Sequence, residues 1–176
     1  RPFVKNEKEL EDIFITYDFE QIIYFSNYLT FHGETRGEAE MLRKILQLCR
    51  GKRNMRIVYL TGPERLYDVP TGKTLLVSEM ENLSREYAKL YKTTVKIIRS
   101  PYLYSEQYEK DFLNTVFREI SAEQKITFQE DESQRMFFMS MQDLAELMYK
   151  IFDNWDEDEE ILNIADGFDH CFKDLG

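Results

Sequence analysis

The chain has 176 residues, 43% of them hydrophobic and 14% aromatic, and its 33 acidic against 23 basic side chains leave a net charge of −10. That length and apolar content suit one domain with a sizeable core and exclude a disordered chain. The acidic excess argues against non-specific binding to nucleic acid or to an anionic membrane surface.

Two cysteines, Cys49 and Cys171, are too few for a disulfide framework, and point to a reducing, cytoplasmic setting with inert thiols. His32 and His170 stand at no ligand spacing to each other or to a cysteine pair, so no metal is expected. No apolar run reaches membrane-spanning length, and the first residues carry no signal-peptide pattern, so direct membrane insertion is not expected.

In chain order, a charged helical pattern runs to Phe14, with Asn6 and Glu9 spaced as a capping box. Ile22 to Phe25 is a continuous apolar run, as in a central parallel strand buried on both faces. Ser26-Asn27 follows as a strand end with a turn-forming asparagine. Glu38 to Cys49 is amphipathic, with Met41, Leu42, Ile45, Leu46 and Cys49 on one face. Gly51-Lys52-Arg53-Asn54 reads as its C-terminal cap. Arg56 to Leu60 is strand-like and ends at Gly62-Pro63.

The helix Thr71 to Leu90 organises the chain. Leu76, Met80, Leu83, Tyr87 and Leu90 recur at spacings of four, three, four and three, while Glu79, Glu81, Arg85 and Lys89 face elsewhere. A strand from Val95 to Arg99 follows, which makes a βαβ unit of parallel sheet. Glu106 to Glu123 reads as a helix with Phe112, Leu113, Val116, Phe117 and Ile120 inward, and Lys125 to Phe128 as a short strand. Arg135 to Met139 leads into a helix over Leu144 to Phe152, with Asp143 in its first turn complementing the dipole. The acidic stretch Asp153 to Glu160 reads as a solvated loop, Ile161 to Asp166 as a strand and the remainder as a short tail.

Several of these stretches carry a resemblance. TVKIIRSPYLY keeps Arg99, Pro101 and Tyr104 in the pattern of an R-P-Y-G turn, with Ser105 in place of the glycine, and RMFFMSMQDLA and ILNIAD follow in order. The order resembles the later part of the short-chain dehydrogenase/reductase superfamily, in its extended branch of NAD-dependent sugar-nucleotide epimerases and dehydratases. The fold implied is α/β, a Rossmann-like parallel sheet flanked by helices, in truncated or degenerate form. One domain over residues 1–176, excised from a larger protein, is expected. The family's first strand, glycine-rich turn and second strand have no counterpart here. From Gly33, Gly37, Gly51, Gly62, Gly72, Gly167 and Gly176 no dinucleotide fingerprint can be drawn.

The resemblance also bears on catalysis. In the family a helix carries Tyr-x-x-x-Lys, usually with Glu four residues after the Lys. Anchoring that Glu on Glu79 places the Lys at Leu75 and the Tyr at Thr71. The third catalytic position, a Ser or Thr, falls near Pro63, with Thr61 the nearest hydroxyl. No Lys in the chain has a Tyr four residues before it, the spacing that puts both side chains on one helix face. The reading is therefore a pseudoenzyme with no catalytic, cofactor-binding or metal residues and no cofactor. It would act as a scaffold, dimerisation or regulatory module, by analogy in bacterial exopolysaccharide biosynthesis. Its protein partner or second copy would dock on the helices Glu38-Cys49 and Leu75-Leu90, as the family's dimers imply. Two alternatives stay open. One is an active NAD(P)-dependent enzyme using a shifted Tyr67/Lys73 pair, and the other is a sensor that binds NAD(P) or a nucleotide sugar without turnover.

Overall fold

The computed structural model describes residues 7–25, 37–52, 54–63, 72–105, 112–122, 135–155, 160–165 and 170–171. Four strands form the main sheet: β1 (Gln21–Phe25), β2 (Arg56–Thr61), β3 (Thr94–Arg99) and β7 (Ile161–Asn163). They lie in the order β1-β2-β3-β7 and every pairing is parallel. The helices are α1 (Glu7–Thr16), α2 (Glu38–Leu48), α3 (Gly72–Tyr91), α4 (Phe112–Ser121) and α5 (Met141–Asp153). Parallel neighbours need crossovers, and α2 and α3 supply them between β1 and β2 and between β2 and β3.

Side chains alternate along a strand, so the sheet has two apolar faces. Ile57, Tyr59, Val95 and Ile97 pack against Leu10 of α1, Leu42, Ile45 and Leu46 of α2, and Met80 of α3. Val58, Leu60 and Ile98 face the other way, onto Leu144, Met148 and Phe152 of α5. The result is a three-layer sandwich, the Rossmann-like arrangement that the resemblance implies.

Two short pairings complete the described chain. β4 (Tyr102–Tyr104) runs parallel to β6 (Phe138–Ser140), and β5 (Arg135–Met136) runs antiparallel to β8 (His170–Cys171). The expected tail therefore contains a strand, and Arg135 to Met139 is split between two small sheets. Among the described residues no helix is long and apolar enough to cross a membrane.

Three expectations need correction. Ile22 to Phe25 is not a strand buried on both faces. Among the described residues β1 stands at the sheet edge, with Ile22 and Tyr24 packed inward while Ile23 is 39% and Phe25 49% exposed. Hydrophobic runs do not by themselves separate a central strand from an edge strand with a partly exposed face.

The face of α3 is also rotated from the expected stripe. Leu90 is 69% exposed, whereas Val77, Met80, Glu81 and Ser84 are buried. Polarity alone would turn a carboxylate outward, but Glu81 is held on the inward face by a cation from β3. On α4, Val116 is buried but Phe117 and Ile120 are exposed. The expected cap at Asn6, the Ser26-Asn27 strand end and the Lys125 to Phe128 strand lie outside the described residues.

The remaining ends follow local chemistry. Gly51 closes α2 at φ +77°, where a side chain would be strained. Ser140 caps α5, its Oγ accepting from the Asp143 amide at 3.0 Å and donating to Asp143 Oδ2 at 2.7 Å. Asp143 thus sits in the first turn of the helix, as read from the sequence.

Candidate ligand crest at the carboxyl ends of the strands

In an open parallel sheet, ligands bind outside the carboxyl ends of the strands. Here that crest is formed by the ends of β1, β2, β3 and β7, at Phe25, Thr61, Arg99 and Asn163. β2 and β3 are tied together just beyond their ladder. The Thr61 carbonyl accepts from the Ser100 amide at 3.1 Å and from Ser100 Oγ at 2.9 Å. Thr61 and Ser100 are both buried. Thr61 Oγ1 is itself buried with no hydrogen-bond partner, an unusual state for a hydroxyl that costs free energy unless something binds it.

Beside this pair lies a buried ion pair. Arg99 Nε donates to Glu81 Oε1 at 2.8 Å and Arg99 Nη2 to Glu81 Oε2 at 2.7 Å. The fork geometry is bidentate, the strong and directional form of this contact. It joins the middle of α3 to the end of β3, with the Glu81 and Arg99 side chains only 5% and 16% exposed. The sequence signal is present but divided: a carboxylate inside a helix and an arginine at a strand end, 18 positions apart.

The residues singled out in the sequence fall as follows. Pro63 is fully buried just past β2. Leu75 is 72% exposed on the first turns of α3. The side chains of Thr71 and Lys73, and all of Tyr67, lie outside the described residues. Glu79 is exposed, in contrast to Glu81 two positions on. Thr61 and Arg99 are brought together across adjacent strands, in register with one another.

Two titratable groups away from the crest, Tyr24 and Cys49, are poorly suited to chemistry. Burial, reinforced by Glu38, pushes the Tyr24 phenol upward, and its hydroxyl donates to the Glu38 carbonyl at 3.1 Å. It therefore stays protonated rather than serving as a base. Burial pushes the Cys49 thiol up to about 12, against a small opposing pull from Lys52, so no thiolate forms near neutrality. No group of three or more potential metal-ligating side chains occurs among the described residues.

The opposite edge of the sheet has its own cluster. Arg56 donates to the Phe152 carbonyl at 2.9 Å, and Trp155 stacks on Phe152 with ring centroids 5.5 Å apart. Lys96 Nζ lies 5.1 Å from the Trp155 ring centroid and the Arg56 guanidinium 5.8 Å from it. The stretch read as a solvated acidic loop thus begins inside α5 and lodges a tryptophan on two cations. This closes the far end of the α5 layer.

Residues 78–165 match the description of the NAD dependent epimerase/dehydratase family. The chain belongs to that family. The match begins at Ser78 within α3 and runs through β3, α5 and β7, taking in Glu81, Arg99 and the N-cap of α5. No curated protein matches the chain in sequence.

Solved structures of the same kind superpose on it. A dTDP-glucose 4,6-dehydratase from Bacillus anthracis in complex with NAD aligns at TM-score 0.76 and 13% identity, over 96% of this chain and 58% of its own. A UDP-glucuronic acid 4-epimerase from Bacillus cereus in complex with NAD gives 0.73 and 14%, over 97% and 60%. A UDP-glucose 4-epimerase from Thermus thermophilus with NAD gives 0.72 and 13%, over 97% and 64%. At such identities the likeness is one of fold. The epimerase/dehydratase-family chain spans about three fifths of the length of these structures.

Proposed function

We propose that this epimerase/dehydratase-family domain is non-catalytic and acts as a scaffold, dimerisation or regulatory module. The observation that carries the reading is the absence, anywhere in the 176 residues, of a Lys with a Tyr four residues before it. The reading does not depend on the register of α3. With Glu79 as the family acid, the Tyr and Lys places fall on Thr71 and Leu75. With Glu81, the buried acid that Arg99 holds, they fall on Lys73 and Val77. Neither register restores the pair. Pro63 at the third position offers no hydroxyl, and Val77 is buried.

The interaction surface proposed is the outward side of α2 and α3. A shallow groove of about 430 Å³ between them is lined by Arg43, Leu75, Ser78, Glu79, Asn82 and Glu86, among others. Leu75 stands exposed on its rim. A second copy or another protein would dock there, in a setting such as bacterial exopolysaccharide synthesis, where nucleotide sugars are handled. A binding-only reading is favoured by one observation, the unpartnered Thr61 hydroxyl at the crest, which a small ligand could satisfy.

The test is turnover. The protein is incubated with NAD and, separately, with UDP-glucose, UDP-glucuronic acid and dTDP-glucose, and the sugar nucleotides are followed by NMR and mass spectrometry. No conversion above the protein-free control is expected. Epimerised or dehydrated product that scales with protein concentration would return the domain to the enzymes.

A further inference from the structure

The carboxyl ends of α2 and α3 meet at the amino-terminal end of the sheet, opposite the crest. Between the α2–β2 and α3–β3 turns lies an open pocket of about 420 Å³, lined by Gly51, Lys52, Asn54, Tyr91, Lys92 and Thr94 among others. In a chain of net charge −10 this end is basic. Lys52 and Lys92 line the pocket, and Arg50 is held beside it, its guanidinium 5.0 Å from the Tyr91 ring centroid. Lys52 Nζ donates to Asp18 Oδ1 at 3.2 Å, but that carboxylate is 97% exposed. So exposed a pair contributes little and yields readily to another carboxylate.

Helix ends do not by themselves account for these cations. A basic side chain at a helix carboxyl end is favoured by the dipole, and Gly51 ends α2 as a glycine commonly does. Lys92 is different. It follows α3 at φ +53°, in the left-handed region where a side chain is strained and glycine is not. At an exposed position that strain costs at least as much as the dipole returns. Lys92 is exposed, and its side chain makes no hydrogen bond or ion pair among the described residues. Its charge thus stands free at the rim, at a place where glycine would serve the fold better.

The backbone says which anion fits. Phosphate sites present free amides, often at a helix amino end. Here the Lys52 amide donates to the Cys49 carbonyl and the Thr93 amide to the Ala88 carbonyl, and both helices direct their carboxyl ends at the pocket. A compact phosphate would meet carbonyl oxygens. Carboxylates spaced along an extended chain would instead reach the separate ammonium and guanidinium groups on their long stems.

We propose that this basic rim docks an acidic peptide segment of a protein partner, its carboxylates pairing with Arg50, Lys52 and Lys92. The rim is separate from the α2/α3 groove, and the inference holds whether or not the domain is catalytic.

A hexaglutamate peptide titrated into the 176-residue chain and followed by amide NMR tests it. Saturable shifts centred on Gly51, Lys52, Lys92 and Thr93 are expected, with affinity falling several-fold as salt rises from roughly 50 to 200 mM. Lys92→Gly should weaken binding about three- to fivefold, and Lys92→Arg should preserve it. Because glycine suits the left-handed backbone, Lys92→Gly should not lower the melting temperature. The proposal is overturned if the shifts spread equally over Lys44, Lys89 and Lys150, or if Lys92→Gly binds as well as the parent. Inorganic phosphate shifting the same residues at lower concentration than the peptide would also overturn it, by making this a small-ligand site. So would self-association of the chain through these residues that the peptide competes away, which would make the acidic run of a second copy the occupant.

Discussion

Arg99 and Glu81 form the contact on which the crest most depends. A buried ion pair is weak evidence for net stability, since its attraction must offset the desolvation of both partners. Breaking it from one side is a different matter, because the remaining charge stays buried. Arg99→Met should therefore destabilise the domain by about 3–5 kcal/mol in urea titration. The double variant Arg99→Met/Glu81→Leu should recover most of that loss, since both buried charges of the pair are then replaced by apolar side chains. If the double variant is no better than the single one, the cost lies in packing rather than in the broken ion pair.

Cys49 gives a second prediction at this scale. Its folded-state thiol is raised from 9.0 to about 12 by burial. The folded state then binds a proton more tightly than the unfolded chain. The associated stability is fully present below pH 9 and is lost as pH rises through the folded value. Burial of the Tyr24 phenol acts in the same direction at higher pH. The unfolding free energy should fall between pH 9 and about pH 12, and Cys49→Val should flatten that fall. In the native state at about pH 8, thiol reagents should leave Cys49 unmodified in a peptide map.

At the scale of elements, α5 is closed by the reciprocal bonds of Ser140 and Asp143. Ser140→Ala should cost about 1 kcal/mol, read from the shift in the urea midpoint at unchanged slope. The exposed rim of α3 should behave differently. Leu75 contributes little to the core, so Leu75→Glu should leave the melting temperature within about 2 °C of the parent. If the α2/α3 surface is an interface between copies, the same change should shift sedimentation from dimer to monomer.

Most elements are legible in the sequence because their signals are local. The apolar spacing on α2, the glycine that ends it and the runs of β2 and β3 each reflect a single residue's surroundings. What escapes depends on partners distant in the chain. Glu81 reads as outward until Arg99, at the end of the following strand, is placed against it. QIIYF reads as a strand buried on both faces until Ile23 and Phe25 are found partly exposed. Trp155 sits within a strongly acidic run, and only the fold brings Lys96 and Arg56 beside it. The parallel pairing of β4 with β6 likewise joins residues distant in the chain, Tyr102 with Phe138 and Tyr104 with Ser140, where no local pattern exists.

The whole molecule is an epimerase/dehydratase-family sheet with a βαβ core and a helix–strand ion pair, in which no Lys of the 176 residues has a Tyr four positions before it. The most direct test of its central claim is a titration of the purified chain with NADH and NADPH. Binding is followed by calorimetry and by energy transfer from Trp155 and the tyrosines to the reduced nicotinamide. The account predicts no saturable signal up to millimolar nucleotide, as expected of a domain that serves as a scaffold. Saturable binding at micromolar concentration would contradict it and place the protein among those that use or sense the cofactor.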